Sequence, residues 1–317
     1  SVCSSEFVVM EPDGCDPRFA KYLYSAEHVR QYLDSMVQSA TRSHQRANPD
    51  DITKMKAGWP PLHEQRAIAT YLDRETERID TLIEKKKRLI DLLEEKRTAL
   101  ISRVVTKGLD PDVEMQDSGV EWLGEIPAHW ETGKVAHLLE NLDSQRIPVS
   151  SSDRADMQGE YPYYGASGVI DHVDDYLFDE PLILVAEDGA NLFSRSSPLA
   201  FVARGKYWVN NHAHILRPRY EPLEYWAYVL RSIVYDPWIT GAAQPKLTQE
   251  NLDSIELPMP PKDERIRIVE KLNAERSEMN ALIERVEDGS ERLKEYRTSL
   301  ISAAVTGQVD VRKSVRM

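Results

Sequence analysis

The sequence contains one long segment twice. Residues 60–106 align without a gap with residues 260–306, and 18 of the 47 positions are identical. Each copy begins with Pro-Pro and continues with apolar residues at alternating steps of four and three, which is the period of a coiled-coil helix. Prolines fit the first turn of a helix, because the amides there have no intrahelical partner to lose. Each copy therefore predicts one helix, roughly 65 to 70 Å long.

The apolar positions predict a seam on each helix. In the first copy the seam comprises Ile68, Leu72, Ile79, Leu82, Leu89, Leu93 and Leu100, and in the second Ile268, Leu272, Met279, Leu282, Val286, Leu293, Tyr296 and Leu300. A heptad seam needs a partner, so the two copies are expected to pair with each other. Gly289 costs about 1 kcal/mol in a helix interior, and the second helix is expected to bend or fray there.

The composition argues against a membrane protein and against a protein that grips nucleic acid unaided. The 317 residues include 40 Lys and Arg against 53 Asp and Glu, a net charge of -13, whereas unaided nucleic-acid binders usually carry a basic surface. No apolar run reaches the length of a membrane span and no signal peptide is recognisable, which predicts a cytoplasmic protein. Two cysteines give no disulfide framework.

The segments that precede the two long helices are also similar. A strand-like run at residues 7–10 and a helix from Pro17 to about Val37 match a strand at 213–216 and a helix from Leu223 to about Val234. A counterpart of residues 120–205 is missing from the first half, so the first globular domain is expected to be incomplete.

The second half predicts a compact α+β domain that is mostly sheet. Residues 107–134 read as a linker in which Trp122 and Trp130 are expected to be packing anchors. Short apolar runs at 182–186, 199–203 and 207–209 predict strands between residues 135 and 258.

No catalytic or metal site is predicted. The chain has neither a phosphate-binding loop ending in Gly-Lys-Ser/Thr nor a Gly-x-Gly-x-x-Gly fingerprint, and it lacks the Asn-Pro-Pro-aromatic motif of amino-methyltransferases. A nuclease-like set at residues 49–50 and 94–96 fails, because residues 94–96 lie within the first long helix. His212 and His214 alternate on a predicted strand without acidic or Cys companions at metal spacing.

Unusual residue choices are concentrated in four loops, at residues 161–168, 187–191, 210–212 and 241–246. They offer amides, hydroxyls and a lysine, which are the groups that read base edges in a DNA groove. For any single loop, ordinary turn chemistry is the favoured explanation. With four such loops in one domain, a binding surface and ordinary turn chemistry are about equally supported.

Several motifs together carry a resemblance to a known family. They are Asp-Ser-Gly-Val-Glu-Trp-Leu-Gly-Glu-Ile-Pro-Ala-His-Trp at 117–130, Tyr-Pro-Tyr-Tyr-Gly-Ala-Ser-Gly at 161–168, Gly-Ala-Ala-Gln-Pro-Lys-Leu at 241–247, and Pro-Pro-Leu-His-Glu-Gln-Arg at 60–66 with Thr-Ala-Leu-Ile-Ser at 98–102. Over nearly its whole length the chain resembles the specificity (S) subunits of type I restriction-modification enzymes.

The resemblance implies an α+β fold in which α/β target recognition domains are joined by two long antiparallel coiled-coil helices, with an internal two-fold repeat. The implied domains are a remnant of the first recognition domain at 1–59, the spacer helix at 60–108, a linker with the complete second recognition domain at 109–258, the second helix at 259–308, and a tail at 309–317.

The resemblance also implies a non-catalytic DNA reader within a larger complex. In the family, each recognition domain reads half of a bipartite site in double-stranded DNA. The helices dock two modification subunits, which methylate adenine and bind S-adenosylmethionine, and a restriction subunit adds ATP-driven translocation and cleavage. S-adenosylmethionine, ATP and Mg are thus expected on partner subunits only, and this chain is expected to need no cofactor.

Residues 135–258 are therefore expected to bind a short asymmetric half-site. The candidate DNA contacts are Tyr163, Tyr164, Ser167, Asn191, Asn210, Asn211, Gln244 and Lys246, together with Arg42 and Arg46 in the remnant of the first domain. A glutamine suits adenine N6 and N7, and a lysine suits guanine O6 and N7 or a phosphate.

Two other classes of function remain open at this point. With an incomplete first domain, the chain could be a coiled-coil scaffold or a half-subunit that pairs with a second copy. An enzyme acting by itself is the third class. The sequence fixes neither the DNA sequence that is read nor the oligomeric state.

Overall fold

A computed structural model of the chain describes residues 13–36, 52, 55–195, 197–241 and 244–311. The helices are α1 Pro17–Ser25, α2 Glu27–Ser35, α3 Leu62–Lys107, α4 Val135–Leu138, α5 Ser151–Ala155, α6 Asn191–Ser194, α7 Leu223–Ser232, α8 Gln249–Ser254 and α9 Lys262–Val305. Single 3₁₀ turns lie at Asp143–Gln145 and Asp236–Trp238. None of the helices in the described part of the chain is long and apolar enough to cross a membrane.

Within the described residues, the strands all belong to the middle of the chain. They are β1 Met115–Asp117, β2 Glu125–Pro127, β3 Glu131–Lys134, β4 Leu139–Asn141, β5 Gln158–Gly165, β6 Gly168–Val173, β7 Phe178–Asp179, β8 Leu182–Ala186, β9 Ala200–Ala203, β10 Lys206–Val209, β11 Ala213–Pro218, β12 Ile239–Thr240, β13 Lys246–Leu247 and β14 Glu256–Met259.

The chain divides into two compact units. Unit 1 comprises residues 1–92 and 281–317, and unit 2 comprises residues 93–280. The domain boundaries predicted from the sequence lie directly after residues 59, 108, 258 and 308, at the ends of the long helices. The structural division instead cuts both helices, because each helix packs its two ends into different cores.

The two long helices predicted from the repeat are confirmed. Helix α3 has 46 residues and α9 has 44, and each begins directly after its Pro-Pro pair. Both are followed by a glycine with positive φ, Gly108 at 76° and Gly307 at 74°, the usual conformation just past a helix end. Within unit 1 the helices run antiparallel, since Asp80 binds Arg297 (Oδ1 to Nε, 2.9 Å) while the later Lys86 lies beside the earlier Gly289.

The predicted seam is confirmed at some positions of each helix and is wrong at others. Ile68, Leu72 and Ile79 are buried as predicted, and so are Ile268, Leu272, Met279, Val286 and Leu300. The prediction was wrong at four positions that the structure leaves exposed: Leu82, Leu89, Leu282 and Tyr296. Ile83 is buried beside the exposed Leu82. A helix with 3.6 residues per turn drifts by about 20° per heptad, so the contact passes to the neighbouring column.

The expected fraying at Gly289 is absent, because α9 is continuous through this residue. A methyl group at position 289 would lie 2.6 Å from the Lys86 ammonium nitrogen. The glycine therefore gives room to a long polar side chain that the facing helix places in the seam. The packing against Lys86 explains why a glycine occupies position 289, and the helix remains continuous there.

We expect Gly289→Ala to stabilise unit 1 by up to about 1 kcal/mol, the difference in helix propensity between the two residues. The atom in the way is the tip of the flexible Lys86 side chain, which can move at small cost. Denaturant unfolding of the chain measures the change. In a Lys86→Ala background, where nothing needs to move, the gain should be at least as large; a loss of stability in that background would contradict this reading of the glycine.

The predicted helix from Pro17 to about Val37 was wrong in its continuity. It is two helices, α1 and α2, separated at Ala26, whose backbone is extended. The side chain of Asp16 caps the amides at the start of α1, and the hydroxyl of Ser302 accepts a hydrogen bond from the first amide of α2 at 3.2 Å. The break allows Ala26 itself to be fully buried. Val37 lies outside the described residues, as does the predicted strand at 7–10.

The same contact recurs at the start of both long helices. The buried side chains of Gln65 in unit 1 and Arg265 in unit 2 each donate a hydrogen bond to the carbonyl of the first proline of their own copy, at 2.8 Å. Gln65 also accepts from the amide of Asp16, just before α1, and Arg265 donates to the carbonyl of Glu221, just before α7. The repeat thus extends upstream into the structure, as predicted.

Unit 2 contains two four-stranded sheets, in the orders β6-β5-β10-β7 and β4-β11-β8-β9. The predicted strands are present as β8, β9, β10 and β11, and the predicted helix is α7. Strands β5 and β10 are parallel, whereas β8 and β11 are antiparallel. The core packs one face of the second sheet against α7 and the adjoining ends of α3 and α9.

Residues 107–134 are not a bare linker, because several of their side chains, among them Leu123, Ile126 and Trp130, are buried in the core of unit 2. They form the β1-β2 hairpin, and β3 pairs with β14 directly before α9. Trp130 is buried and its indole N–H donates to Glu264 at 3.0 Å, while the indole of Trp122 donates to the carbonyl of Glu256 at 2.9 Å. The prediction that both tryptophans are packing anchors is confirmed.

Candidate nucleic-acid interface

Strand ends bring the predicted loops together at one edge of unit 2. Strands β5 and β10 are parallel, and Tyr164 of β5 pairs with Val209 of β10. The residues that follow this pair in the chain, Gly165 and Asn210, therefore lie side by side. Ala186 at the end of β8 pairs with Ala213 at the start of β11, so the loop after β8 meets the loop before β11. We refer to the loops 165–168, 187–190, 210–212 and 244–246 as the four-loop edge.

Hydrogen bonds connect these loops in sequence. The amide of Asn210 donates to the carbonyl of Tyr164 at 3.0 Å, and the amide of Glu187 donates to the carbonyl of His212 at 3.0 Å. Gly189 donates to Pro245 at 3.3 Å, and the Lys246 ammonium binds the Glu187 carboxylate at 3.0 Å. The four-loop edge is therefore one connected surface.

An open cleft of about 960 Å³ lies in unit 1, and a second one, of about 930 Å³, lies along the four-loop edge. The lining of the second includes the polar side chains of Asp188, Ser194, His212, Gln244 and Lys246 and the phenyl ring of Phe193, together with Gly189, Ala190 and Pro245. Asp188 binds the His212 ring at 2.9 Å, and Phe193 is 52% exposed. Carboxylates accept from cytosine N4, amides pair with adenine, and apolar groups contact the thymine methyl, so the lining offers a varied set of base-reading groups.

Four of the ten candidate residues have exposed side chains at this edge. They are Ser167, at the tip of the β5-β6 hairpin, Asn211, Gln244 and Lys246. Arg42 and Arg46 lie outside the described residues. The predicted role of these six residues in DNA binding stays a prediction.

The other four candidates have interior roles in the structure. Tyr163 is fully buried under the Arg154 guanidinium, 4.7 Å from its ring centre, and Tyr164 packs its half-buried ring against Tyr207. Asn191 is buried and bonds the backbone of residue 197 through both ends of its amide. Asn210 is buried and accepts from the amide of His212 at 2.8 Å. These four side chains pack on the interior side of the edge and support it, and we do not propose them as base contacts.

A buried charge network lies beneath the edge. His214, 1% exposed, contacts the carboxylate of Asp143 through Nδ1 at 2.5 Å and the carbonyl of Leu247 through Nε2 at 2.8 Å. Arg146 reaches both Asp143 and Glu187. Burial acts to raise the pKa of Asp143, but its hydrogen bond with His214 and the neighbouring positive charges hold that pKa below its usual value. The pKa of Glu187 is lowered in the same way, against burial, by Arg146 and Lys246.

The donor set of this network does not fit a metal ion. Asp143, Glu187 and His214 offer ligand atoms within 4.8 Å of one another. Both ring nitrogens of His214 are already engaged by oxygen atoms, however, and each carboxylate is neutralised by Arg146 or Lys246. A metal ligand needs a free nitrogen lone pair and unneutralised carboxylates. The network is therefore an ion-pair cluster.

Several members of the edge and its support were not predicted from the sequence. Asp188 and His212 belong to loops that were selected, but they were not singled out as contacts, and Phe193 was not considered. No acidic companion was expected for His214 either, although Asp143 is 71 positions away in the chain and adjacent in space. Only the pairing of β11 with its neighbours brings Asp143 and Glu187 to this histidine, so no local signal exists.

Comparison with solved structures supports the fold. A chain from a study of complex assembly and conformational transition of the type I R-M system matches over 92% of this chain and 71% of its own, with a TM-score of 0.70 and 16% identity. The HsdS subunit from Thermoanaerobacter tengcongensis matches over 93% and 71%, with a TM-score of 0.54 and 16% identity. Two long helices with mixed α and β units are therefore the fold of a type I specificity subunit.

Sequence comparison shows the family. Residues 127–288, about half of the chain, match the family described as Type I restriction modification DNA specificity domain, and the chain belongs to this family. It is 33% identical over 162 residues to the type I specificity subunit S.HindORF215P of Haemophilus influenzae, and 21% identical over 190 residues to the EcoDI specificity subunit of Escherichia coli. These matches cover 50% and 59% of this chain, but only 38% and 40% of the relatives.

Proposed function

We propose that this chain is the DNA-reading subunit of a type I restriction-modification complex, and that the four-loop edge of unit 2 reads one half of a bipartite site in double-stranded DNA. The observation that carries the proposal is the convergence of four loops, selected for their base-reading side chains, on one connected surface. Loops at one edge of a rigid scaffold are the usual place for recognition. Ser167, Asn211, Gln244 and Lys246 are the proposed contacts, joined by Asp188, His212 and Phe193.

The charge balance of the domain favours contacts with the bases over tight binding to the DNA phosphates. Residues 134–257 carry 10 Lys and Arg against 18 Asp and Glu, and Arg154, Arg204 and Arg217 are each paired with a carboxylate. Affinity for DNA comes mostly from contacts between cationic groups and phosphates. Partner subunits therefore supply much of the phosphate clamp, and the chain by itself binds weakly.

The chemistry belongs to those partners. We propose that methylation, with bound S-adenosylmethionine, and ATP-driven cleavage reside on modification and restriction subunits, and that this chain needs no cofactor. The isolated chain given S-adenosylmethionine and DNA should transfer no methyl group. Methyl transfer by the isolated chain would contradict this division of labour.

Unit 1 offers a surface on which a modification subunit can dock. Exposed apolar side chains follow one another on α3 and α9: Leu82, Leu89, Leu92, Leu282 and Tyr296. The Asp80–Arg297 ion pair and the antiparallel direction place Leu82 across from Tyr296. Leu82 and Leu89 are seven residues apart and so share a helix face. Such a patch on a helix pair is typical of an interaction site; a second copy of the chain is the alternative occupant, and mass measurement with and without modification subunit distinguishes the two.

The double variant Gln244→Ala, Lys246→Ala tests the proposed DNA contacts. Assembled with modification subunit, it should bind duplexes selected by the parent complex roughly 10-fold to 100-fold more weakly, because a good base contact contributes about 1 to 3 kcal/mol. If Lys246 contacts phosphate, the slope of log affinity against log salt should also fall by about one. Fluorescence anisotropy at several salt concentrations measures both quantities.

Lys206→Ala is a matched control. This exposed lysine begins β10, at the end opposite Asn210, and lies over the Tyr176 ring at 4.4 Å. We expect less than about a twofold effect from it. Unchanged affinity and unchanged modification specificity in the double variant would remove Gln244 and Lys246 from the reading surface.

A further inference from the structure

Residues 244–247, which present Gln244 and Lys246 at the four-loop edge, are held against the sheet by several contacts, two of which are made by the backbone of Leu247. The amide of Leu247 donates to the carbonyl of Glu187 at 2.7 Å, and the carbonyl of Leu247 receives His214 Nε2 at 2.8 Å. Leu247 is fully buried. The rest of the segment is held by the two-residue pairing of β13 with β12, by a bridge between Lys246 and Asp188, and by the hydrogen bond from Gly189 to Pro245. Such short pairings are weak support for a strand. The hydrogen bond from the His214 ring is therefore one of the main anchors of this segment.

The partners of His214 determine its charge. A backbone carbonyl can only accept a hydrogen bond, so Nε2 must carry a proton. Nδ1 faces the carboxylate of Asp143, whose other oxygen accepts from the amide of Ile215 at 2.8 Å and which Arg146 approaches at 3.4 Å. These donors favour the ionised carboxylate, which again can only accept. Both ring nitrogens are then protonated, and the buried ring is an imidazolium.

We propose that the buried imidazolium of His214 positions residues 244–247 for DNA reading and releases them when it loses its proton. The inference rests on the proposed function, because it assigns a positioning role at the same edge. When the ring loses one proton, the ionised carboxylate of Asp143 retains the proton on Nδ1, so Nε2 turns a lone pair toward the carbonyl of Leu247 and that hydrogen bond is lost. His214 itself touches no DNA in this account; it acts through the segment that carries Gln244 and Lys246.

The groups around the ring set the direction of the pH dependence. Asp143 and Glu187 face the ring, Arg146 and Lys246 neutralise these carboxylates, and Asp253 on α8 acts from further away. Burial lowers the pKa of His214, but the hydrogen bond and charge of Asp143, the carbonyl of Leu247 and Glu187 together hold that pKa above its ordinary value. The anchor is therefore complete below about pH 6.5, the ordinary histidine pKa, and is lost as the pH rises through the higher folded-state pKa.

Two measurements on the full chain test this proposal. The first is independent of DNA: the NMR signals of ¹⁵N-labelled histidine, with His214 assigned by its loss in His214→Gln, report both ring nitrogens between about pH 6 and about pH 9. We expect the signals of both protonated nitrogens at the acidic end. Over the same range, the protection factor of the Leu247 amide, which is the intrinsic exchange rate at each pH divided by the observed rate, should fall roughly tenfold once the ring is neutral.

The second measurement is DNA affinity of the chain assembled with modification subunit, over the same range and with duplexes selected by the parent complex. The parent should lose roughly tenfold in affinity as His214 deprotonates, because a hydrogen bond from a charged donor is lost. His214→Gln can make one of the two contacts but carries no charge, so it should bind weakly at every pH with a flat profile. His137→Gln, an exposed histidine on α4 at the far end of β11, is the control and should keep the parent profile.

The outcomes separate this inference from the proposed function. If the assembled complex binds DNA but the pH profile of His214→Gln equals that of the parent, or if the parent ring is neutral throughout, the inference is overturned while the function stands. If the ring titrates with exchange at Leu247 but no variant or parent complex binds DNA, the proposed function fails and His214 remains only a structural anchor. Should His214→Gln not fold, the protection of the Leu247 amide and the DNA affinity of the parent over the same pH range still decide the question.

Discussion

Trp130→Ala is expected to destabilise unit 2 by about 3 to 5 kcal/mol, the cost of removing a large buried aromatic side chain. The ring is 2% exposed, and its N–H donates to Glu264 at 3.0 Å. Its edge also lies against Gly108, where an added methyl group would be 3.3 Å from the ring. The substitution leaves a cavity at the point where the end of α3, the start of α9 and β3 meet. Denaturant unfolding of the chain followed by circular dichroism measures the loss.

Trp59→Ala is the matched control. This tryptophan of unit 1 is 45% exposed and touches Phe19 edge-on at 5.8 Å, so its loss should cost under about 1 kcal/mol. Trp130→Phe should fall between the two, because it keeps most of the buried area and removes only the hydrogen bond to Glu264. Equal stabilities of Trp130→Ala and Trp59→Ala would mean that residues 107–134 do not help to hold unit 2 together.

Leu82→Glu together with Leu89→Glu is expected to weaken binding of a modification subunit at least about 100-fold. Both leucines are 41% exposed, so charged replacements should leave the helix pair folded. Burying two carboxylates in an apolar interface is costly, at several kcal/mol for each unpaired charge. Size-exclusion chromatography with light scattering and titration calorimetry measure the assembly.

Leu109→Glu is the control for this prediction. It makes the same change at an exposed leucine that lies beyond the end of α3, and assembly should be unaffected. Binding of modification subunit unchanged by the pair of substitutions would exclude the patch as its docking surface. If the pair instead abolishes a dimer of the chain alone, the patch joins two copies, which is the scaffold alternative.

Periodicity made the long helices predictable, whereas side-chain partners depended on the fold. The Pro-Pro pairs and the repeated apolar spacing fix where α3 and α9 begin and end, and these signals are local. A strict seven-residue spacing drifts around a helix of 3.6 residues per turn, so the spacing alone does not decide which side chains face the partner helix. For this reason the seven-residue spacing predicts that Leu82 packs, whereas in the structure its neighbour Ile83 is the buried residue. The break at Ala26 was missed for a related reason, since the capping hydroxyl of Ser302 is 275 positions away.

The candidate site shows the same limit. Composition and turn residues correctly selected loops that meet at one edge. They could not separate Asn210, which is buried and caps a turn, from the exposed Asn211 beside it. Both are asparagines in one loop, and only the parallel pairing of β5 and β10 decides which of them faces inward. The support by His214 and Asp143 was equally out of reach, because it joins residues that meet only in the folded sheet.

The most direct test of the central claim is site-specific crosslinking from the four-loop edge to DNA. A photoreactive amino acid is placed at Asn211 or Ser167, which are exposed at the edge, or at His137, which is exposed at the opposite end of β11. The chain is assembled with modification subunit and a pool of random-sequence duplexes, and the crosslinked DNA is sequenced. Crosslinks from Asn211 and Ser167 that fall in one half of an enriched bipartite motif, with none from His137, are the predicted result. Crosslinks from His137 and none from either edge position would contradict the account.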